Sequence, residues 1–166
     1  MRPVSAVTAA TFTRVEPRRA TTLSETEPGL EYAAAEGDYT VLPAFAPAEI
    51  IKTGTVAGLE LAPRTRESLF AMRFRGFIKV PATGVYQFFV RSDDGSRMWV
   101  GETLLVDNDG LHSSRERSAP IALEAGWHPI TVAIFEQSGG FELDVAWSGP
   151  GIARQRVPAG ALARRK

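Results

Sequence analysis

Alternation of apolar and polar residues is clearest from Leu69 onward. In LFAMRFRGFIKV, Phe70, Met72, Phe74, Ile78 and Val80 share one side at period two, with Gly76 among them, and Arg73, Arg75 and Lys79 share the other. That pattern predicts a strand with one buried face. Pro81–Gly84 is turn chemistry, and Tyr86, Phe88 and Val90 alternate over residues 85–91. The short connection predicts that the two strands form an antiparallel hairpin. Met98-Trp99-Val100 and Leu104-Leu105-Val106 predict another hairpin around Gly101. Residues 111–118 read as an exposed loop and Pro120–Leu123 as a short strand. In WHPITVAIF both parities are apolar, so this is a central strand with Pro129 at its start, where the missing N–H is tolerated. Phe141, Leu143, Val145 and Trp147 alternate with Glu142, Asp144 and Ala146 in a half-buried strand that ends at Ser148–Gly151.

The first third is less regular. Residues 4–15 read as an early strand, broken at Glu16-Pro17, and residues 18–29 as a polar linker or surface-crossing loop. Gly29–Ala33 predicts a strand, Ala48–Lys52 one helical turn ended by Gly54, and Ala57–Leu61 a weak strand. Leu42–Phe45 is loop-like, with an aromatic expected to tuck against the sandwich. Residues 1–28 are therefore read as an N-terminal strand and linker, open to being the remnant of a preceding domain, and residues 29–166 as one module. Many short strands, Gly/Pro/Asx turns and no long helix predict an all-β fold, an antiparallel sandwich or barrel.

Composition narrows the function classes. The 166 residues are 44% hydrophobic, as in a globular domain that buries a core. Nineteen basic and nineteen acidic residues give no net charge, which argues against a nucleic-acid footprint or a polybasic membrane surface. With no cysteine there is no disulfide scaffold, zinc-thiolate site or thiol nucleophile. No apolar run approaches the ~18 residues of a membrane span. No continuous apolar stretch follows Arg2, so an export signal is expected on a longer parent chain.

Candidate chemistry lies in the turns. Asp93-Asp94-Gly95 places two carboxylates side by side, and they repel unless a cation or hydrogen bonds hold them. The competing reading is an Asx-type turn with Gly95 at positive φ. Asp107-Asn108-Asp109-Gly110 is a second acidic turn, and Gln137-Ser138-Gly139-Gly140 offers an amide oxygen and backbone carbonyls. Such oxygen donors suit calcium, which takes about 6–8 of them. His112 reads as exposed in a polar loop, and His128, beside Trp127, as packed or capping. Trp99 and Trp127 are open to stacking on sugars, whereas Trp147 belongs to the core-facing parity. Glu116, Glu124, Glu136 and Asp144 could supply a glycosidase pair, but their spacing selects none, and no catalytic residue is expected.

Taken in order, several blocks resemble a known family. They are Phe74…Gly76…Ile78, Gly84–Phe88, Ser92-Asp93-Asp94-Gly95-Ser96, Val106-Asp107-Asn108, His112, Ala125–Ile130, Phe135-Glu136 and Trp147–Gly151, and together they span about residues 29–162. They resemble the lectin-like module named after the N-terminal fragment of anthrax protective antigen, the PA14 family. The resemblance implies an antiparallel β-sandwich of the protective-antigen type, carried as a non-catalytic accessory module by secreted glycosidases, proteases, adhesins and toxins. It implies that Asp93 and Asp94, joined by a cis peptide, bind Ca2+, and that the ion meets sugar hydroxyls. Gln137, Ser138 and Gly140 would complete the metal shell. Asp93, Asp94, Asp109, His112 and Gln137 would face the carbohydrate, with side chains around 109–116 setting preference. By the same resemblance, adhesins of the family commonly carry Asn where Gln137 stands, and have a longer loop. Pro3–Phe12, Leu42–Phe45 and the closing Gly149–Pro158 stretch resemble modules appended to bacterial β-hexosaminidases and sulfatases. The expected function is a calcium-dependent glycan-binding module of a secreted or cell-surface parent, with a carbohydrate and the parent's neighbouring domains as partners, no nucleic acid and no membrane span. The alternatives are a structural module that shapes a neighbour's substrate pocket, and a small free-standing hydrolase.

Overall fold

The computed structural model describes residues 14–166. The early strand expected at 4–15 falls outside the described residues except for Arg14 and Val15, which are exposed and not in a strand. Twelve strands follow: β1 (Thr26–Pro28), β2 (Leu30–Glu36), β3 (Ile50–Val56), β4 (Phe70–Val80), β5 (Gly84–Asp93), β6 (Ser96–Val100), β7 (Thr103–Asn108), β8 (Arg115–Leu123), β9 (Gly126–Glu136), β10 (Glu142–Gly149), β11 (Ile152–Arg156) and β12 (Leu162–Arg165). They form two antiparallel sheets. The larger runs β1-β12-β4-β9-β6-β7, with β2 also on β4 and β3 on β2; the smaller runs β11-β10-β5-β8. The fold is the β-sandwich that the alternation and the resemblance predicted.

The core lies where the two inner faces meet. Phe70, Met72, Phe74, Ile78 and Val80 of β4 and Ile130, Val132 and Ile134 of β9 face Tyr86, Phe88 and Val90 of β5 and Leu143, Val145 and Trp147 of β10. Full burial of such a side chain contributes about 1.5–3 kcal/mol. Trp147 stacks on Tyr86 with ring centroids 5.9 Å apart, so its place is in the core. A smaller apolar cluster lies on the outer side of the large sheet, where Phe45 packs with Ala35, Ala71, Ala133 and Phe135.

Four expectations are corrected. β4 and β5 do not pair: β4 lies between β9 and β2/β12, and β5 between β10 and β8. The Pro81–Thr83 turn is an arch between layers, and the two apolar faces meet across the core instead of lying side by side. Residues 48–52 are not a helical turn; β3 begins at Ile50 and continues through Gly54, paired with β2. Residues 57–61 bend without forming a strand. Arg115–Ser118, expected as loop, extend β8 along the edge of the small sheet, where the outward side chains need no apolar pattern. The polar 18–28 stretch runs along the sandwich. Arg18 bridges to Leu123, Thr21 to Trp127, and Thr26–Pro28 pair with β12.

Gly76 marks a junction. β2 takes up Phe70–Arg75 on one edge of β4, and β12 takes up Phe77 and Ile78 on that same edge. A Cβ at Gly76 would lie 2.5 Å from a Leu30 methyl and 2.6 Å from the Ala163 carbonyl oxygen. Gly76→Ala is therefore expected to destabilise by roughly 1–3 kcal/mol, the usual cost of overpacking. Gly160→Ala, whose Cβ meets nothing within 4 Å, should stay within about 0.5 kcal/mol of the parent. Urea midpoints of the two variants make the comparison.

Candidate functional site

Three connections cross between the sheets at one end of the sandwich. They are Asp94–Gly95 between β5 and β6, residues 109–114 between β7 and β8, and residues 137–141 between β9 and β10. Beneath them lies a buried polar cluster. Asn108 Nδ2 donates to the Arg115 carbonyl (2.9 Å) and to Ser92 Oγ (3.2 Å), and Asn108 Oδ1 accepts from Arg115 Nε (2.8 Å). Ser92 and Ser96 share a hydrogen bond of 2.6 Å. Ser92, Ser96 and Asn108 are fully buried. Asp107 pairs with Arg97 at 3.0 Å, which holds its carboxyl below the usual range. The second acidic turn thus serves to join the sheets.

The Asp93–Asp94 peptide is cis. Gly95 is there for space, and not for the positive φ of the Asx-turn reading. A Cβ on it would lie 2.5 Å from the Phe135 ring and 2.7 Å from the Gly110 nitrogen. Its carbonyl accepts the Phe135 N–H at 3.0 Å, which docks the turn against β9. Asp94 is buried and reaches both other loops: Oδ1 accepts the His112 N–H at 3.2 Å and Oδ2 the Gln137 N–H at 3.0 Å.

Asp93, Asp94 and Glu136 converge, with one carboxylate oxygen of each within 4.8 Å of the others. Glu136 is the residue that sequence reasoning left among four scattered carboxylates. A signal was present: it continues the inward parity of Ile130, Val132 and Ile134. Its side chain is fully buried, and neither oxygen has a hydrogen-bond partner. Burial, then the charges of Asp94 and Asp93, push its carboxyl up to about 7; the N–H groups of Gly140 and Asp94 lie near it outside good hydrogen-bond geometry and pull it back only in part. Burial and Asp94 raise Asp93 as well, offset in part by His112 and the Ser114 N–H. At such separations two ionised carboxylates repel by roughly 3–4 kcal/mol at an effective dielectric of about 20. An all-oxygen donor set with orphaned lone pairs fits a hard divalent cation, calcium before zinc.

The other expected site residues are placed differently. Gln137 borders the cluster, but its Nε2 donates to Asp38 at 2.8 Å. Ser138 and Gly140 are exposed in the loop beyond it. Asp109 Oδ1 accepts the N–H groups of Leu42 (3.0 Å) and Gly110 (2.8 Å), so this carboxylate anchors the 42–45 loop and is not among the three that converge. Both His112 ring nitrogens face carbonyls, Asn108 at 2.7 Å and Ser113 at 2.8 Å, and the ring holds the 109–114 loop together. His128 is buried, with Nε2 on the Glu124 carbonyl, as its packing reading predicted.

The PA14 domain family profile matches residues 27–161. The chain belongs to the PA14 domain family. The PA14 module is 28% identical over 94 residues to the anti-sigma-I factor RsgI3 of Acetivibrio thermocellus, a match covering 56% of this chain and 15% of that protein. Among solved structures it resembles an anti-sigma factor domain-containing protein from Clostridium clariflavum (24% identity, TM-score 0.68), covering 91% of this chain and 53% of that one. It also resembles the PA14 sugar-binding domain from an RTX adhesin (19%, TM-score 0.64; 84% and 99% covered). A third likeness is to the epithelial adhesin 9 A domain of Candida glabrata, solved with Galb1-3GlcNAc (13%, TM-score 0.69; 92% and 97% covered). These likenesses show the fold. The PA14 module thus spans about half of the anti-sigma structure and nearly the whole of the two adhesin domains. Among the described residues, no helix is long and apolar enough to cross a membrane.

The raised carboxyl of Glu136 has a thermodynamic sign. The folded state holds a proton that the unfolded chain releases, so ion-free protein should lose stability as pH rises from 4.5 to about 7. Denaturant midpoints in chelator at about pH 5 and about pH 8 measure this. Glu136→Gln is expected to flatten the difference.

Proposed function

We propose that this PA14 module is a non-catalytic, calcium-dependent carbohydrate-binding module. The observation that carries the reading is the convergence of Asp93, Asp94 and Glu136 with both Glu136 oxygens unpartnered. These three side chains would hold the ion, with Gln137 and the Ser138 and Gly140 carbonyls beside them. A bound calcium would supply open coordination positions for a pair of sugar hydroxyls. The chain's own part is positional. Asp94 fixes the loops carrying His112 and Gln137, and the exposed residues Leu111, Ser113 and Ser114 border the place where a sugar would sit. Support for carbohydrate as the ligand class comes from the adhesin domains of the same fold, one described as sugar-binding and one solved with a disaccharide.

We place the module in a longer, exported or surface-exposed parent. Extracellular modules hold calcium at roughly 10⁻⁴–10⁻³ M, a range that suits a site built from three carboxylates and an exposed loop. The sequence resemblance pointed to a glycoside hydrolase or sulfatase as parent, whereas the longer relatives above are anti-sigma factors, so sensing and enzyme targeting are both roles for such a module. A second reading, that the module packs on a neighbouring domain without binding sugar, draws on the short 137–140 loop and on the engagement of the Gln137 amide with Asp38.

Calcium titration together with a glycan array decides between them. Calcium at about 100 times its dissociation constant should stabilise the protein by about 2.7 kcal/mol, seen as a higher melting temperature. Asp93→Ala and Glu136→Gln should abolish that rise. On a glycan array, binding should appear with calcium and vanish with chelator. Calcium affinity without any glycan signal would favour the packing reading, and absence of both would remove the proposal.

A further inference from the structure

A second concavity, lined by none of the three carboxylates, lies on the outer face of the large sheet. It is a groove of about 480 Å³, floored by Arg73, Arg75, Arg97 and Trp99 and walled by the 42–45 loop. Sheet register accounts for the grouping. Arg97 is opposite Ala133, which is opposite Arg73; Trp99 is opposite Thr131, which is opposite Arg75. The small residues of β9 leave a furrow between two long rows. Anchoring by Asp109 and packing by Phe45, held at a φ of 54°, set the wall in place.

The cations in this furrow are under-matched. Arg97 is paired with Asp107 and Asp109. No ion pair among the described residues involves Arg73 or Arg75. Glu31 is opposite Arg75 in register and makes no pair with it. Arg73 lies over the Phe45 ring at 5.2 Å, and its Nε is buried without a hydrogen-bond partner. Burial, then the neighbouring charge of Arg75, work against the Arg73 guanidinium, a cost that a bound anion would relieve.

We propose that this groove is a second carbohydrate subsite, independent of calcium, that takes a uronate unit of an acidic polysaccharide, with Arg73 and Arg75 gripping the carboxylate and Trp99 lying against the sugar ring. Guanidinium forks match carboxylates in two parallel hydrogen bonds. An indole supplies a flat apolar surface with a polar edge. The volume falls within the range of about 300–1,000 Å³ typical of small-ligand pockets. The 42–45 wall confines the furrow, which favours a single sugar unit over the open, extended cationic surface that a duplex would need. This goes beyond the calcium reading and stands apart from it, because it involves none of the three converging carboxylates.

The test uses the whole chain in excess chelator, which silences any calcium site. Retention on immobilised polygalacturonate is compared with retention on its methyl-esterified form, which keeps the backbone and loses the charge. Wild type should be retained by the first and not by the second. Arg75→Gln, at an exposed position, should weaken retention by about tenfold, as expected for losing one hydrogen bond to a charged group, with an unchanged melting temperature. Arg73→Lys should weaken it too, since charge remains but the fork is lost. No retention on polygalacturonate in chelator would overturn the proposal. So would equal retention on the methyl ester, on polyglutamate or on duplex DNA, or binding confined to sulfated glycans.

Discussion

At one end of the sandwich the apolar core gives way to a buried knot of Asn108, Ser92, Ser96 and Arg115, and the three converging carboxylates are stacked on that knot. Asn108 ends a strand of the large sheet, while Ser92 and Arg115 belong to the small one. The contact therefore ties the two layers together where the chain changes layers. Leaving one such buried donor or acceptor unmatched costs about 1–3 kcal/mol, so the cluster is all-or-nothing in character and fixes the spacing of the sheets at that end. The Asp93–Asp94 turn lies between two members of the knot, Ser92 and Ser96. Its carboxylates are held against Glu136 by this scaffold, not by attraction for one another.

Much of the strand pattern was legible because alternation at period two survives in any half-buried strand. β4, β5 and β10 were visible in this way, β9 as a run apolar on both faces, and β6 and β7 as short apolar runs around Gly101. Pairing was not, because a four-residue turn is equally compatible with strands side by side and strands face to face. What decided between them for β4 and β5 was the bulk of their apolar faces, which fill the space between layers. The upstream region misled for a related reason: Ile50–Val56 is mostly exposed and carries Gly54, so it has little alternation to show.

The candidate site was half legible. Adjacent Asp residues and the family blocks singled out Asp93 and Asp94. Glu136 was hidden by the apolar strand it ends, although its parity aims it inward. The resemblance implied that Asp109 and His112 face the carbohydrate. Here both are taken up in holding backbone, and what faces solvent is the loop they stabilise.

Zero net charge conceals a division of labour in space. Asp93, Asp94 and Glu136 converge at the crossing end, while Arg73, Arg75 and Arg97 line a groove on the outer sheet face. Whole-chain balance excluded a general polyanion-binding surface, and it was silent about a local one.

The three crossing loops differ in length and sit above the knot that joins the two layers. Segments such as 109–114 and 137–141 lie outside the strand ladders, and surface connections of this kind tolerate insertions better than the elements they join. The scaffold separates inheritance of shape from inheritance of specificity, so descendants of one ancestor could diversify their ligands by loop replacement alone.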